Sequence, residues 1–151
     1  MDFQGRRTGE YGSGVVTTDG VEPSGNAVMA EVLTVLGHYL EHPGYLTRAD
    51  AMISNLQKRF SAYPSSYAAW AKQALTRIQG ITTLVITGPE ALANASLLNQ
   101  QYNYAVLIAA AESSSELPIF TNRFIPDQNL IFSCHNSTCA PPVSSIDDLL
   151  L

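Results

Sequence analysis

The sequence predicts an α/β protein in which a helical first half packs on a small, mainly parallel sheet of three or four strands. Three observations predict this class. Apolar residues recur at helical spacing through the first half. Two β-branched apolar runs follow, with a helical segment between them. The chain has 151 residues, 46% of them hydrophobic, and is long enough to bury a core. We therefore divide it into a helical part, residues 1–80, and a small α/β part, residues 81–151.

The helical part contains three predicted helices. The first runs from residue 26 to about residue 41, with Ser24 or Asn26 as its cap. Its apolar residues occupy two faces, so we expect protein to surround it. A second, amphipathic helix begins at Thr47, and a third covers residues 66–79 and ends at Gly80.

The α/β part begins with a strand–helix–strand pattern. Residues 81–87 and 104–110 are buried apolar strands, and the helix between them opens at residues 88–90. Such a unit normally gives parallel strands joined by a right-handed crossover. The remaining segments are shorter: a strand at 117–120, a strand at 130–134 and a terminal helix at 145–151.

Composition excludes several classes of function. Thirteen acidic residues against eight basic ones give a net charge of −5, whereas a nucleic-acid binder shows a basic surface. Only 14% of the residues are charged, compared with about 25% in typical domains, so we expect other protein to cover part of the surface. No apolar run is long enough to span a membrane, and the polar N-terminus lacks a secretory signal. We therefore expect a cytoplasmic protein with neither nucleic-acid nor membrane partners.

The two cysteines, Cys134 and Cys139, are separated by four residues. This spacing differs from the C-x-x-C redox motif. Three interpretations stay open. The pair is half of a metal site to which His135 contributes, it is a reversible disulfide with a thiol role, or it belongs to a structural turn in which Asn136 bonds to the backbone. In the last case the cysteines are small buried hydrophobic residues.

The other two histidines, His38 and His42, are four residues apart and could share one face of a helix. Nothing in the sequence places them near Cys134. A closed structural zinc site needs four ligands. The sequence therefore predicts neither a bound metal nor a cofactor.

Two segments resemble a known family. Residues 19–26 (DGVEPSGN) are similar to a D-G-x-x-P-S-G-N segment that opens a helix. Residues 134–143 (CHNSTCAPPV) are similar to a C-x-N-x-x-C-x-x-P-V segment that precedes an acidic terminal helix. Both occur, in this order, in the C-terminal region of the large thioredoxin-domain-containing proteins that include the spermatogenesis-associated family. The resemblance covers about residues 19–150.

This resemblance implies a larger architecture. Family members carry a thioredoxin-like domain followed by an (α/α)6 barrel similar to N-acylglucosamine 2-epimerases and six-hairpin glycosidases. Residues 1–80 then correspond to the last hairpins of a toroid-like barrel. The chain is too short for the thioredoxin-like domain and for most of the hairpins. We therefore expect either a fragment or a shortened gene product, inactive on its own.

The resemblance also gives a candidate pocket. Asp19, Glu22, Ser24 and Asn26 stand at the mouth of the first helix, which in such a barrel would face the central cavity. Carboxylates supply acid–base chemistry at a sugar site, and amides and hydroxyls hold the sugar. The structural alternative is that Ser24 and Asn26 cap the helix while Asp19 makes a turn.

Three functions follow from these observations, and the choice between enzyme and non-enzyme stays open. The first is the C-terminal portion of a carbohydrate-processing protein, with a carbohydrate-like small molecule as ligand. The second is an interaction module that binds the rest of the barrel or a second copy through an apolar patch of Val28, Met29, Val32 and Leu33. The third is a thiol-based role at Cys134, Asn136 and Cys139.

Overall fold

The computed structural model describes residues 16–101, 103–136 and 138–149. Within these residues the chain forms four α-helices and one four-stranded sheet, which confirms the α/β class. The helices are α1 (Gly25–Tyr39), α2 (Pro43–Ala62), α3 (Ala68–Gln79) and α4 (Ala91–Leu98). The strands are β1 (Thr82–Thr87), β2 (Val106–Ala111), β3 (Leu130–His135) and β4 (Thr138–Cys139).

The helical region, from α1 to α3, has its own core around Trp70, which is 1% exposed. Ala27 and Ala30 of α1 and Ile53 and Leu56 of α2 pack in the same cluster. The small alanines let α1 approach its neighbours closely. Gly37 extends this close packing, since a Cβ there would lie 2.5 Å from Leu46 Cδ2.

The helix boundaries follow local chemistry. Ser24 caps α1 as predicted, because its hydroxyl accepts a hydrogen bond from the Ala27 N–H at 3.3 Å. Gly80 ends α3 with a φ of 80°, a conformation that suits glycine. The second helix begins at Pro43 rather than at Thr47, since proline is favoured in the first turn and its φ is already helical.

The sheet has the order β2-β1-β3-β4. β1 and β2 are parallel and joined through α4, which confirms the predicted crossover unit. The expectation of a mainly parallel sheet is wrong in one respect, because β3 pairs antiparallel with both β1 and β4. The reason is the connection from β2 to β3, which carries no α-helix and returns the chain along the other edge of β1.

Two of the predicted short elements take a different form. The segment predicted as a strand at 117–120 is a 3₁₀ turn, Pro118–Phe120, which buries both Ile119 and Phe120. The predicted terminal helix is also a 3₁₀ turn, Ile146–Asp148, and Ser145 caps it through the Asp147 N–H. Both segments are too short to extend an α-helix or a strand.

The two regions are joined at the end of α1. Tyr39 packs against the sheet cluster that contains Val85 and Phe120, and its hydroxyl donates a hydrogen bond to the Ile108 carbonyl at 3.0 Å. Arg123, in the loop between β2 and β3, forms a salt bridge with Glu41 at 3.0 Å. These contacts leave a cleft between α1–α2 and the sheet.

Candidate functional site

The predicted pocket residues lie around the N-terminus of α1, where Asp19 connects two helices. One carboxylate oxygen of Asp19 accepts a hydrogen bond from the Ser24 N–H and the other from the Ala69 N–H, each at 2.9 Å. Both donors are at helix starts, where a carboxylate is favoured. Asp19 therefore links the beginnings of α1 and α3.

The other three predicted residues surround this link. The Ser24 hydroxyl also accepts a hydrogen bond from Trp70 Nε1 at 3.1 Å, and Asn26 Nδ2 donates to the Val16 carbonyl at 2.7 Å. Glu22 is exposed. Asp19, Glu22 and Ser24 line a shallow surface depression, and Asn26 is outside its lining. Apart from Glu22, these polar groups bond to neighbouring backbone or to Trp70, as helix caps do. The assignment of a sugar site here stays a prediction.

The two cysteines come together in the β3–β4 hairpin. Cys134 and Cys139 are directly opposite in the antiparallel register, and they form a disulfide. Asn136 takes a positive φ of 47° in the turn between the strands, a conformation that asparagine tolerates well. The sequence left three interpretations of this pair open, and the structure contains a disulfide between the two cysteines.

The disulfide faces a cavity of about 360 Å³ in the cleft between the helices and the sheet. We call it the thiol cavity. It is lined by both cysteines and by groups from three other parts of the chain, among them His38, Glu41, Thr83 and Arg123. The Arg123 guanidinium donates to Cys139 Sγ at 3.7 Å and also contacts the Ile119 carbonyl. The positively charged guanidinium of Arg123 therefore contacts the sulfur of Cys139, which is the more exposed of the two cysteines.

His38 lines the thiol cavity from α1 and is half-buried. Burial lowers the pKa of its imidazole from the ordinary value of 6.5, because desolvation disfavours the charged form. The ring is therefore neutral at pH 7. His42 does not share this position, since it lies outside α1 and stacks on Tyr45 at a centroid distance of 4.2 Å.

A second cavity of about 360 Å³ adjoins the first at His38 and Leu46. We call it the polar cavity, because its lining is rich in hydrogen-bonding groups: Thr34, Asp50, Gln73, Thr76, Arg77 and Asn136. Asp50 and Arg77 form a salt bridge at 2.8 Å along its wall. Gln73 and Thr76 are buried on α3.

The histidine, cysteine and acidic side chains around the two cavities are the candidate metal ligands of this region. Within the part of the chain that the structure describes, no three side chains of histidine, cysteine, aspartate and glutamate come close enough to hold a metal ion. Cys134 and Cys139 are bonded to each other, so neither sulfur is a thiolate that could bind metal.

Sequence reasoning did not single out Arg123 and Glu41. They are 82 residues apart, and each stands alone in a loop or at a helix end without a motif. Only the placement of the β2–β3 loop against the end of α1 brings them to the disulfide. Glu41 has a positive φ of 47°, which no pattern in the sequence indicates.

The fold and this cleft define a small α/β protein in which a helical region and a disulfide-bridged mixed sheet enclose two cavities. The chain is similar to spermatogenesis-associated protein 20 from Homo sapiens, with 24% identity over 137 residues. The similarity covers 83% of this chain but only 17% of the human protein. It supports the family that the two motifs resemble. No family model matches the chain, and no solved structure matches it significantly.

None of the helices in the described segments is long and apolar enough to cross a membrane.

Proposed function

We propose that this chain is a structural module of a larger helical protein, and that the outward face of α1 packs against further helices of that protein. The observation that carries the proposal is an apolar stripe on α1. Val28, Met29, Val32 and Leu36 are 45%, 51%, 41% and 40% exposed. Their spacing puts them on one side of the helix.

The stripe is more apolar than an ordinary helix surface. Its four residues are each 40–51% exposed and lie next to one another on the helix surface. Burying the exposed half of such a side chain contributes on the order of 1 kcal/mol, before the cost of association. Leu33, which the sequence groups with this patch, is half-buried, and Leu36 is exposed in its place.

Charge supports the same function. Glu31 is the one acidic residue in α1, and it pairs with Lys72 of α3 at 2.9 Å. The opposite side of α1 is already buried against the helical core through Ala27, Ala30 and Gly37. A helix with one buried face and one exposed apolar face is suited to lie between two layers of helices.

The comparison with the human protein supports the choice of occupant. The matched stretch is 17% of a much longer chain, so most of that protein lies outside it. In this proposal the carbohydrate-processing activity that the resemblance implies belongs to the larger protein as a whole. The 151-residue chain is inactive alone and works in the cytoplasm.

Light scattering combined with a hydrophobic dye tests the proposal on the full 151-residue chain. We expect a monomer that binds the dye, because the α1 face is exposed among the residues that the structure describes. The double variant Val32→Glu/Met29→Glu should lose most of the dye signal. The matched control Leu92→Glu removes a residue that is 55% exposed on α4 and should keep the signal.

Two results would contradict the proposal. A monomer that binds no dye would mean that the α1 face is an ordinary surface. A dimer that hides the face, and that Val32→Glu dissociates, would identify a second copy of the chain as the occupant.

The polar cavity favours a second candidate function, which is binding of a small hydroxylated, carbohydrate-like ligand. Its lining offers hydroxyl, amide, carboxylate and guanidinium groups around one open cavity. Thermal-shift screening of monosaccharides tests this. A ligand that raises the melting temperature of the wild-type chain but not of Gln73→Met would support it, and a panel without any shift would count against it.

A further inference from the structure

We propose that the Cys134–Cys139 disulfide is a thiol–disulfide exchange site for a low-molecular-weight thiol, and that Cys139 is the sulfur that such a thiol attacks. The proposal concerns the β3–β4 hairpin and does not depend on the function proposed above. It rests on the unequal surroundings of the two sulfurs.

Accessibility separates the two cysteines. Cys134 is 8% exposed and stands opposite Thr83 of β1 in the sheet register. Cys139 is exposed, on a two-residue edge strand. An attacking thiolate has to reach a sulfur of the bond, and the exposed cysteine is the more accessible of the two.

Charge separates the two cysteines in the step that releases the bound thiol. The Arg123 guanidinium contacts Cys139 Sγ at 3.7 Å, and the Arg123 side chain is 20% exposed. A neighbouring cation stabilises the Cys139 thiolate and so makes Cys139 the better leaving group when a second thiol attacks the mixed disulfide. The other titratable groups facing the cavity are Glu41, which pairs with the same arginine, and His38.

The exchange balances in two steps. A thiolate RS⁻ attacks Cys139 Sγ, a new S–S bond forms, and the electron pair of the old bond leaves on Cys134 Sγ, which takes a proton from water. A second RS⁻ attacks the sulfur of the bound thiol and releases Cys139 as a thiolate beside Arg123. The products are RSSR and the protein dithiol, so two thiols are oxidised and one disulfide is reduced.

The cavity sets the class of ligand. At about 360 Å³ it is within the size range of small-molecule sites. A cavity of that volume accepts a compact thiol and is too small for a segment of a folded protein. A disulfide stabilises a fold by restricting the unfolded chain, and the restriction grows with the length of the loop that it closes. The loop between Cys134 and Cys139 is short and already forms a hairpin, so a purely structural disulfide would add little stability here.

Single-cysteine variants of the full chain test the proposal, with oxidised glutathione as the probe. Cys134→Ser leaves the exposed sulfur and Cys139→Ser leaves the buried one. We expect the mixed disulfide, followed by mass spectrometry at pH 7, to form about tenfold faster or more on Cys139 than on Cys134. Circular dichroism checks that both variants keep the fold.

Arg123 is tested in the Cys134→Ser background. Arg123→Gln should slow the reaction about threefold, because the loss of thiolate outweighs the rise in nucleophilicity of each thiolate. Arg123→Lys should restore most of the rate. Lys72→Gln, which removes an exposed cation elsewhere, should leave it unchanged.

The proposal would be overturned by equal rates on the two cysteines, by a rate that Arg123→Gln does not change, or by two free thiols in the chain as purified under air. Reduction of the wild-type disulfide by millimolar reduced glutathione, with the fold intact, is the expected outcome. Resistance to that reduction would also overturn it and leave the disulfide a structural link.

Discussion

The sheet region and the helical region differ in how much of their apolar surface is buried within the described chain. β1 lies between two apolar layers of its own chain. Val85 packs on one side with Phe120, and Ile86 packs on the other with α4 and Ile131. In α1, by contrast, Ala30 is fully buried while Val32, only two positions later, is 41% exposed. β1 is therefore covered on both faces and α1 on one.

This difference separates the folding role of each region from the binding role that we propose for it. The sheet region buries β1 within its own chain, and the exchange chemistry that we propose lies at an edge hairpin. The helical region supplies a core around Trp70 and keeps an apolar surface available. Substitutions should therefore cost most where the sheet packs and least on the outer helix faces.

The largest effect is expected at Gly88, at the end of β1. Its φ is 114°, and a Cβ there would lie 2.1 Å from the Gln128 carbonyl oxygen. Gly88→Ala should lower the free energy of unfolding by about 4 kcal/mol or more, through backbone strain and the clash together. Gly25→Ala is the matched control, since its Cβ meets nothing within 4 Å. Urea denaturation measures the free energy of unfolding of both variants. Similar losses in the two would contradict the expected difference between the regions.

Truncation of isoleucine compares the buried and exposed surfaces directly. Ile86 is 0% exposed in the sheet and Ile78 is 82% exposed on α3. Ile86→Ala should cost about 3 kcal/mol through lost burial and the cavity left behind. Ile78→Ala should change stability by less than about 0.5 kcal/mol. Thermal and urea unfolding should rank the pair in this order, and a costly Ile78→Ala would show that α3 has a hidden contact.

Within the helical region, the cap of α1 should matter more than a hydroxyl on the surface. Ser24→Ala removes the acceptor for both the Ala27 N–H and Trp70 Nε1. We expect a loss of about 1–2 kcal/mol. Ser61→Ala removes an exposed hydroxyl from α2 and should be nearly neutral. Equal losses in urea denaturation would mean that the capping contact contributes little.

The smallest effect on stability is expected from a change in pH, through His38 in the cleft. Burial keeps the pKa of His38 below 6.5 in the folded protein, so the unfolded chain binds more protons just below pH 6.5. Stability should therefore fall as the pH drops from 7 through 6.5, and His38→Gln should reduce this slope. Unfolding curves at pH 7.5 and pH 5.5 measure it. The same slope in wild type and His38→Gln would assign the dependence to other groups.

The sequence predicted the local elements well because their signals are local. The Ser24 cap, the Gly80 end of α3 and the β1–α4–β2 crossover each depend on residues close together in the chain. The antiparallel direction of β3 was not predicted, since it depends on where a loop without an α-helix returns to the sheet. The cysteine pair was recognised, but its bonding was one of three interpretations.

The sequence by itself determined the α/β class, the order of the main helices and strands and the negative net charge, because periodicity, capping and charge count are read along the chain. Only the tertiary structure decided which groups face each other. It placed Arg123 beside Cys139, brought His38 between two cavities and left the α1 stripe uncovered. Such contacts join residues far apart in sequence, and their free energy depends on packing that no local pattern encodes.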